Sequence, residues 1–349
     1  MPTMPTMDER KSRVLQAIVD DYVATAEPVG SRTIARKYRL GVSPATIRNE
    51  MADLEELGYL EQPHTSAGRI PSDRGYRYYV DWLMEIKEAT PEEQERLRRI
   101  FERKVWEFES LVRAAARALS DMTHLTGVVV GPQSEEARFR EIRLVPLASD
   151  RALLVYITDT GFVENAVVDL PFEVTMVELQ QISSLLTEHL RGQRVELMGR
   201  GALQALQREL GRYGRLLEQT LEFLSESIQP GERRRVYVSG VPYMLEQPEF
   251  RDVQKARAIF ALLEQEAVLE EVLNLPESDT VQIQIGAEIK VEDLHDCSII
   301  SATYTAGDRT IGRVGVIGPR RMDYGRVVAM VDEVTRRLSG VLGRQRLVD

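Results

Sequence analysis

Residues 43–60 carry the sequence SPATIRNEMADLEELGYL, which predicts how the first part of the chain folds. Serine followed by proline is typical of a helix N-cap and first helical position, so a helix is expected to begin at Ser43-Pro44. Gly58 is its expected end, because glycine readily adopts the left-handed conformation that closes a helix. One buried face is predicted by apolar residues at helical spacing, namely Ile47, Met51, Leu54 and Leu57.

Two further helices are predicted upstream of this one. Residues 8–24 contain an apolar stripe with a 3.6-residue period, and the break at residues 27–30 separates them from a short helix that Ser31 is expected to cap. Helix, helix, turn and helix within about 50 residues is the layout of a helix-turn-helix module.

The face of the third helix opposite to the apolar stripe carries small or hydrogen-bonding side chains near its N-terminal end: Ala45, Thr46, Arg48 and Asn49. A recognition helix presents this end to the base edges of DNA. Asparagine pairs with adenine, arginine pairs with guanine, and alanine or threonine methyl groups contact the thymine methyl group. The free N–H groups at the Ser43 end also suit a phosphate.

A hairpin is predicted to follow the third helix. Residues 59–62 and 69–71 flank a turn of small residues, and Ser72 is expected to cap a fourth helix. Arg69, placed near the hairpin tip, is predicted to enter a minor groove or hold a phosphate. The complete predicted DNA-contact set is Arg32, Ser43, Ala45, Thr46, Arg48, Asn49, His64, Ser66 and Arg69.

The charge of the chain is uneven. Its 45 basic and 55 acidic residues give a net charge of −10, which excludes a protein coated in positive charge. Residues 31–49 nevertheless contain no acid and five bases: Arg32, Arg36, Lys37, Arg39 and Arg48. A localised basic block is the footprint of a DNA-binding surface. The residues alone leave open two alternatives, a three-helix core without DNA function and a module that binds only protein.

No catalytic constellation is present in the sequence. The four histidines are scattered, and His295 and Cys297 are too few ligands for a zinc site. A single cysteine excludes an intrachain disulfide framework and fits a reducing cytosol. There is no apolar run of about 18 residues, so no membrane span is predicted. We therefore expect a cytoplasmic protein that is not an enzyme and uses no cofactor or metal.

The remainder of the chain predicts an α+β domain with an insertion. A polar linker at residues 85–95 precedes one long helix over 96–121. Strands are predicted at 127–130, 139–147, 152–158 and 162–170, followed by helices at 175–190 and 202–227, a strand at 235–239 and a helix at 252–273. Strands return at 281–285, 298–304 and 310–317, before a helix over 323–342. A sheet that is interrupted by a mainly helical block and then resumed indicates an insertion.

Five segments resemble the heat-inducible transcription repressor family, HrcA. They are EPVGS at 27–31, SPATIRNEM at 43–51, LGYL at 57–60, HTSAGRIP at 64–71 and GVIGPRRMDY at 315–324. The resemblance implies a bacterial repressor of class I heat-shock operons that binds the CIRCE inverted repeat as a homodimer, is relieved on heat stress and associates with the nucleoid when bound. It also implies that the chaperonin GroEL keeps the repressor active.

The resemblance further implies a multidomain α+β fold. Its expected parts are a disordered tail (1–7), a winged helix-turn-helix domain (8–86), a linker helix (87–121), a GAF-like domain (122–174 and 278–349) and an inserted, mainly helical dimerisation segment (175–277). An alternative is a metabolite-responsive repressor of IclR-like build. In that case Tyr304, Arg309, Arg320 and Arg321 are candidates to line an effector pocket, although structural roles for them remain open.

Overall fold

The computed structural model describes residues 7–64, 67–102, 108–131, 138–158, 163–170, 174–193, 236–273, 275–276, 278 and 280–346, and it is a mixed α/β structure. The N-terminal unit (residues 8–86) follows the predicted order of elements. These are α1 (Glu9–Thr25), α2 (Ser31–Lys37), α3 (Pro44–Glu56), β1 (Leu60–Glu61), β2 (Ile70–Pro71) and α4 (Asp73–Tyr78), which continues into a π-helical turn at Tyr79–Leu83.

Two details of the N-terminal unit differ from the prediction. Gly30 is the N-cap of α2, and Ser31 is already its first helical residue. Leu57, expected on the buried face of α3, is the C-cap and is 46% exposed. The chain turns away from the helix axis at Gly58, which has a φ of +77°, so Leu57 is carried off the buried stripe.

The single long helix predicted over residues 96–121 is wrong. Two helices occupy this region, α5 (Pro91–Phe101) and α6 (Phe108–Thr123). Arg96 Nη2 lies 3.1 Å from Asp121 Oδ2, whereas 25 residues of continuous helix would separate the two positions by about 37 Å. The two helices therefore pack side by side, and α5 begins at a capping box formed by Thr90 and Glu93.

The rest of the described chain forms two sheets and their covering helices. In chain order the elements are β3 (Thr126–Val130), β4 (Phe139–Ala148), β5 (Arg151–Thr158), β6 (Val163–Asp169), α7 (Met176–Leu190), β7 (Val236–Ser239), α8 (Val241–Glu246), α9 (Val253–Leu263), α10 (Glu266–Leu273), β8 (Gln282–Ile285), β9 (Cys297–Ala306), β10 (Arg309–Pro319) and α11 (Tyr324–Arg346).

The larger sheet has five antiparallel strands in the order β7-β3-β10-β9-β8. Its strands are covered on both faces, so successive side chains enter two different cores. Val129 and Ile300 belong to the core that contains α6 and α11, whereas Val128 and Ile299 belong to the core that contains α9 and α10. Alternation of this kind places helices on both sides of the sheet.

The smaller sheet was not predicted as a separate sheet. Strands β4, β5 and β6 form an antiparallel meander whose buried face packs on α7 as an independent core, which includes Phe139, Leu154 and Leu186. The sequence pattern predicts these strands in one sheet with β3, and it predicts α7 in one inserted block with residues 235–273. Strand β7 instead pairs with β3, and α9 and α10 pack on the larger sheet. The helix predicted at 202–227 lies outside the described residues.

Among the described helices, none combines the length and the apolar character that crossing a membrane requires.

Candidate nucleic-acid interface

The start of α3 is set by its N-cap. Ser43 has extended backbone, its side chain accepts a hydrogen bond of 3.1 Å from the Thr46 N–H, and Pro44 occupies the first helical position. The hydroxyl oxygens of Ser43 and Thr46 are also 2.9 Å apart. This cap satisfies one of the N–H groups that a helix leaves free at its start.

The buried side of α3 fixes its rotation against α1. Ile47 and Leu54 are fully buried, and between them lies a carboxylate, Glu50, that is 8% exposed. Its Oε2 lies 2.9 Å from Lys11 Nζ, which is also 3.0 Å from Asp53. Hydrogen bonds to these two carboxylates raise the pKa of Lys11, so its ammonium group stays protonated at neutral pH. This pair was not predicted from the sequence, although a carboxylate three residues after Ile47 on an apolar stripe is a signal for it.

Four exposed residues form a stripe along the opposite side of α3: Ala45, Arg48, Asn49 and Ala52. Their spacing of i, i+3, i+4 and i+7 places them on one helix face. Arg48 and Asn49 make no side-chain hydrogen bond or ion pair with any residue that the structure describes. Their polar groups are therefore available to a ligand, whereas Thr46 is half-buried beside Ser43.

The basic block lies on the surface as well. Arg32, Arg36, Lys37, Arg39 and Arg48 are all exposed. Within the described ranges, only Lys37 pairs with an acid, the buried Asp21. Four guanidinium groups thus contribute positive potential on and around α2 and α3, and long-range attraction of a polyanion requires this kind of local excess.

The hairpin after α3 is anchored to the loop before α2. Val29 and Arg69 exchange two backbone hydrogen bonds of 2.8 and 2.9 Å, which extend the β1–β2 ladder. At Gly68, a Cβ atom would lie 2.4 Å from the Val29 carbonyl oxygen. Only glycine allows the two backbones to approach this closely.

Arg69 lies at the base of this hairpin and not near its tip, where sequence analysis placed it. Its Nε and Nη2 atoms lie 2.8 and 2.7 Å from Glu55 Oε2, and its side chain is 19% exposed. The guanidinium therefore ties the hairpin to the end of α3. His64 is exposed near the turn, and Ser66 lies outside the described residues.

Arg74 is a further residue that sequence analysis did not single out. Its Nη1 donates a hydrogen bond of 2.9 Å to the Leu57 carbonyl, and its guanidinium lies 4.6 Å from the centre of the Tyr59 ring. It holds the end of α3 against the start of the hairpin. No local pattern in the sequence marks it, because the contact spans 17 residues.

The four candidate effector residues do not share one pocket. Tyr304 is fully buried, and its hydroxyl donates to the Val130 carbonyl. Arg309 begins β10, whereas Arg320 and Arg321 follow its end, so the strand separates them by about 30 Å. Of the two residues judged too few for a zinc site, His295 has a ring nitrogen 3.0 Å from the Ile289 carbonyl oxygen, and Cys297 is buried. No group of three potential metal ligands occurs among the described residues.

Comparison with known proteins gives one consistent family. The model of the HrcA protein C-terminal domain matches residues 109–328. The heat-inducible transcription repressor HrcA of Symbiobacterium thermophilum is 62% identical over 334 residues, which is 95% of this chain and 98% of that protein. The repressor of the same name from Pelotomaculum thermopropionicum is 46% identical over 339 residues, covering 97% of both proteins.

One crystal structure shares the fold. It is described as that of a hypothetical protein, and it is similar with a TM-score of 0.71 over 97% of this chain and 99% of that one. The two sequences are 24% identical, so this similarity concerns the fold alone.

Proposed function

The chain belongs to the heat-inducible transcription repressor family, HrcA, whose members are transcription repressors and not enzymes, and from this premise we propose that the N-terminal unit is a winged-helix reader of operator DNA. The observation that carries the proposal is the exposed stripe on α3, whose polar side chains have no partner among the described residues. Arg48 and Asn49 are exposed, face the same way and are flanked by the small side chains of Ala45 and Ala52. Small flanking residues let a helix approach the floor of a major groove.

Each side chain of this surface has a matching DNA group. The Asn49 amide suits the N6 and N7 atoms of adenine, and the Arg48 guanidinium suits the O6 and N7 atoms of guanine. Ala45 and the Thr46 methyl group suit a thymine methyl. The capped end at Ser43 and the Arg32 guanidinium suit backbone phosphates, which position the helix without reading sequence.

The hairpin serves as the wing in this proposal. His64 and Ser66 are the contacts that it offers to DNA. Arg69 acts differently: with Glu55 it holds the hairpin at a set angle to α3, so it positions the wing. Direct contact of Arg69 with a phosphate would first require Glu55 to release it.

We also propose that two copies bind the CIRCE inverted repeat, because a two-fold protein matches a two-fold site. The larger sheet with its helices would form the GAF-like domain, and the inserted dimerisation segment, expected at residues 175–277, would instead be the segment between β3 and β7. Exposed apolar residues concentrate in that segment, in support of a contact role: Val145, Leu147, Val167, Met176 and Val177. GroEL would support the active form, and the repressor would act in the cytoplasm.

The test is fluorescence anisotropy with a CIRCE duplex and a scrambled duplex at near-physiological salt, with and without GroEL. Asn49→Ala and Arg48→Ala should each weaken binding to the repeat by about 1–3 kcal/mol, roughly 5- to 150-fold, because each removes one base contact. Arg257→Ala is the matched control, since Arg257 is an exposed arginine on α9, away from the proposed DNA and dimer contacts.

Two results would contradict the proposal. One is equal affinity for both duplexes from a folded protein. The other is unchanged affinity in both α3 variants, which would favour a module that binds only protein. Affinity should also fall steeply as salt rises, because phosphate contacts release counterions from DNA.

A further inference from the structure

A small cavity lies between the N-terminal unit and the domain that contains the larger sheet. Its volume is about 150 Å³. Its walls come from both sides: Tyr22, Ile70, Pro71 and Tyr76 belong to the N-terminal unit, and Glu249, Lys255, Asp296, Arg320 and Arg321 belong to the other domain. Anything that binds there touches both parts of the chain.

Ion pairs and hydrogen bonds hold the walls of the cavity together. Arg320 Nη1 lies 2.6 Å from Oδ1 of Asp73. The other carboxylate oxygen of Asp73 accepts a hydrogen bond of 3.0 Å from the Ala287 N–H. Arg321 Nη1 donates a hydrogen bond of 2.8 Å to the Val23 carbonyl. These contacts between distant parts of the chain build the cavity.

The carboxylates of the cavity already have cationic partners. Glu249 Oε1 accepts a hydrogen bond of 2.7 Å from Arg321 Nε. Asp296 Oδ2 accepts a short hydrogen bond from Lys255 Nζ, and its Oδ1 lies 3.6 Å from Arg320 Nη2. The cavity is thus lined by three cations and two carboxylates. The charge of the third cation is balanced by Asp73, which pairs with Arg320 but does not line the cavity. The carboxylate oxygens of the walls are thus already engaged by the cations of the cavity itself.

Donor capacity, in contrast, is in surplus. The Tyr76 hydroxyl is buried without a hydrogen-bond partner in the described structure, and the residue is only 1% exposed. The Tyr22 hydroxyl also lacks a described partner. Burial raises the pKa of both tyrosines, so both remain protonated donors at neutral pH. Lys255 Nζ has three N–H groups, of which the bond to Asp296 uses one.

A buried hydroxyl without a hydrogen-bond partner is unfavourable, and an occupant of the cavity that accepts its hydrogen bond would relieve this cost. The volume limits what this occupant is. A cavity of about 150 Å³ holds a molecule the size of benzene, whereas pockets for cofactors span about 300–1,000 Å³.

We propose that this cavity binds one small oxyanion, either inorganic phosphate or a short carboxylate, through Tyr22, Tyr76, Lys255 and Arg320. Because the walls belong to two parts of the chain, the bound anion holds the N-terminal unit in its present orientation. Control of DNA affinity by the anion would rest on the proposed function, but the binding itself does not.

The experiment is isothermal titration calorimetry on the full chain without DNA. Sodium phosphate and sodium acetate are titrated separately at an ionic strength matched with sodium chloride. We expect saturable binding of one anion per chain. Tighter binding of phosphate would identify a tetrahedral oxyanion as the ligand class, and tighter binding of acetate would identify a carboxylate.

Two variants remove cavity donors. Tyr76→Phe deletes only an unpaired hydroxyl and leaves the fold intact, and Lys255→Met deletes one cation at the cavity rim. Each should weaken the affinity about tenfold or more, because a hydrogen bond to a charged group contributes about 1.5–3 kcal/mol. Lys290→Met is the matched control, since Lys290 is exposed and does not line the cavity.

Absence of saturable binding for both anions would overturn the proposal, as would undiminished binding in Tyr76→Phe. Calorimetry measures binding of the anion directly. A melting temperature would not separate binding from the general stabilisation that phosphate gives every variant through exclusion from the protein surface. A negative result here would leave the DNA-binding proposal untouched, because no DNA is present in the experiment.

Discussion

Gly68→Ala adds a single methyl group at the point where the hairpin base meets the loop before α2. The new Cβ would lie 2.4 Å from the Val29 carbonyl oxygen, 2.5 Å from its carbon and 2.7 Å from its nitrogen. All three atoms are backbone, so no side-chain rotation relieves the overlap. The hairpin must move away from Val29.

This displacement would break the two hydrogen bonds of 2.8 and 2.9 Å between Val29 and Arg69, each of which contributes about 0.5–1.5 kcal/mol. The total of about 1–3 kcal/mol agrees with the usual penalty for adding a methyl group to a packed site. It corresponds to roughly 5- to 150-fold more frequent opening of the hairpin base.

Native-state amide hydrogen exchange measures this opening directly. The Val29 and Arg69 amides should exchange faster in Gly68→Ala by that factor, whereas amides in the middle of α3 should be unaffected. Gly340→Ala is the matched control. Its Cβ meets nothing within 4 Å in the interior of α11, so the same substitution should stabilise the protein by up to about 1 kcal/mol.

If Gly68→Ala left the protection of both amides unchanged, the close approach at Gly68 would not hold the hairpin, and the reasoning would be refuted. A loss of protection throughout the N-terminal unit would also contradict it, because the expected opening is local.

Three further predictions concern the cap of α3, a buried carboxylate and the only thiol. Ser43→Ala should destabilise the N-terminal unit by about 1 kcal/mol in denaturant titrations, because it removes the acceptor of the Thr46 N–H; an unchanged midpoint would argue against the cap. Burial raises the pKa of Asp20, which accepts a hydrogen bond from Tyr79, so the stability of the protein should fall as pH rises from the unfolded pKa of Asp20 through its folded pKa. Asp20→Asn should therefore stabilise the protein more at pH 7 than in acid. Melting curves of both proteins at the two pH values test this, and a larger stabilisation in acid would contradict it. Cys297 is fully buried and burial raises its pKa to about 12, so iodoacetamide should label it only after unfolding, and rapid labelling of native protein would contradict its burial.

Much of the N-terminal unit is predictable from the sequence alone. The Ser43-Pro44 start, the apolar stripe through Ile47 and Leu54, and the exposed positions of Arg48 and Asn49 all lie where local signals place them. Helix periodicity and capping act over a few residues, so the chain encodes them within a short window.

Contacts between distant residues were predicted less well. The sequence indicated a sheet interrupted by an insertion, but it did not show that β4–β6 form a sheet of their own with α7 or that β7 pairs with β3 across more than 100 residues. It placed Arg69 at a tip, whereas Glu55 holds this residue at the hairpin base. A strand pattern specifies which face is buried and not which partner buries it.

The cavity between the two parts of the chain is the clearest case of this difference. Tyr22, Tyr76, Lys255, Asp296 and Arg320 are spread over some 300 positions, and nothing beside any one of them in the sequence marks it as part of a site. Local sequence specified the helix that we propose reads DNA, since its exposed face follows from its own period. Packing of distant segments alone brought two tyrosines and two cations to the walls of one cavity, because burial and charge pairing depend on neighbours in space and not along the chain.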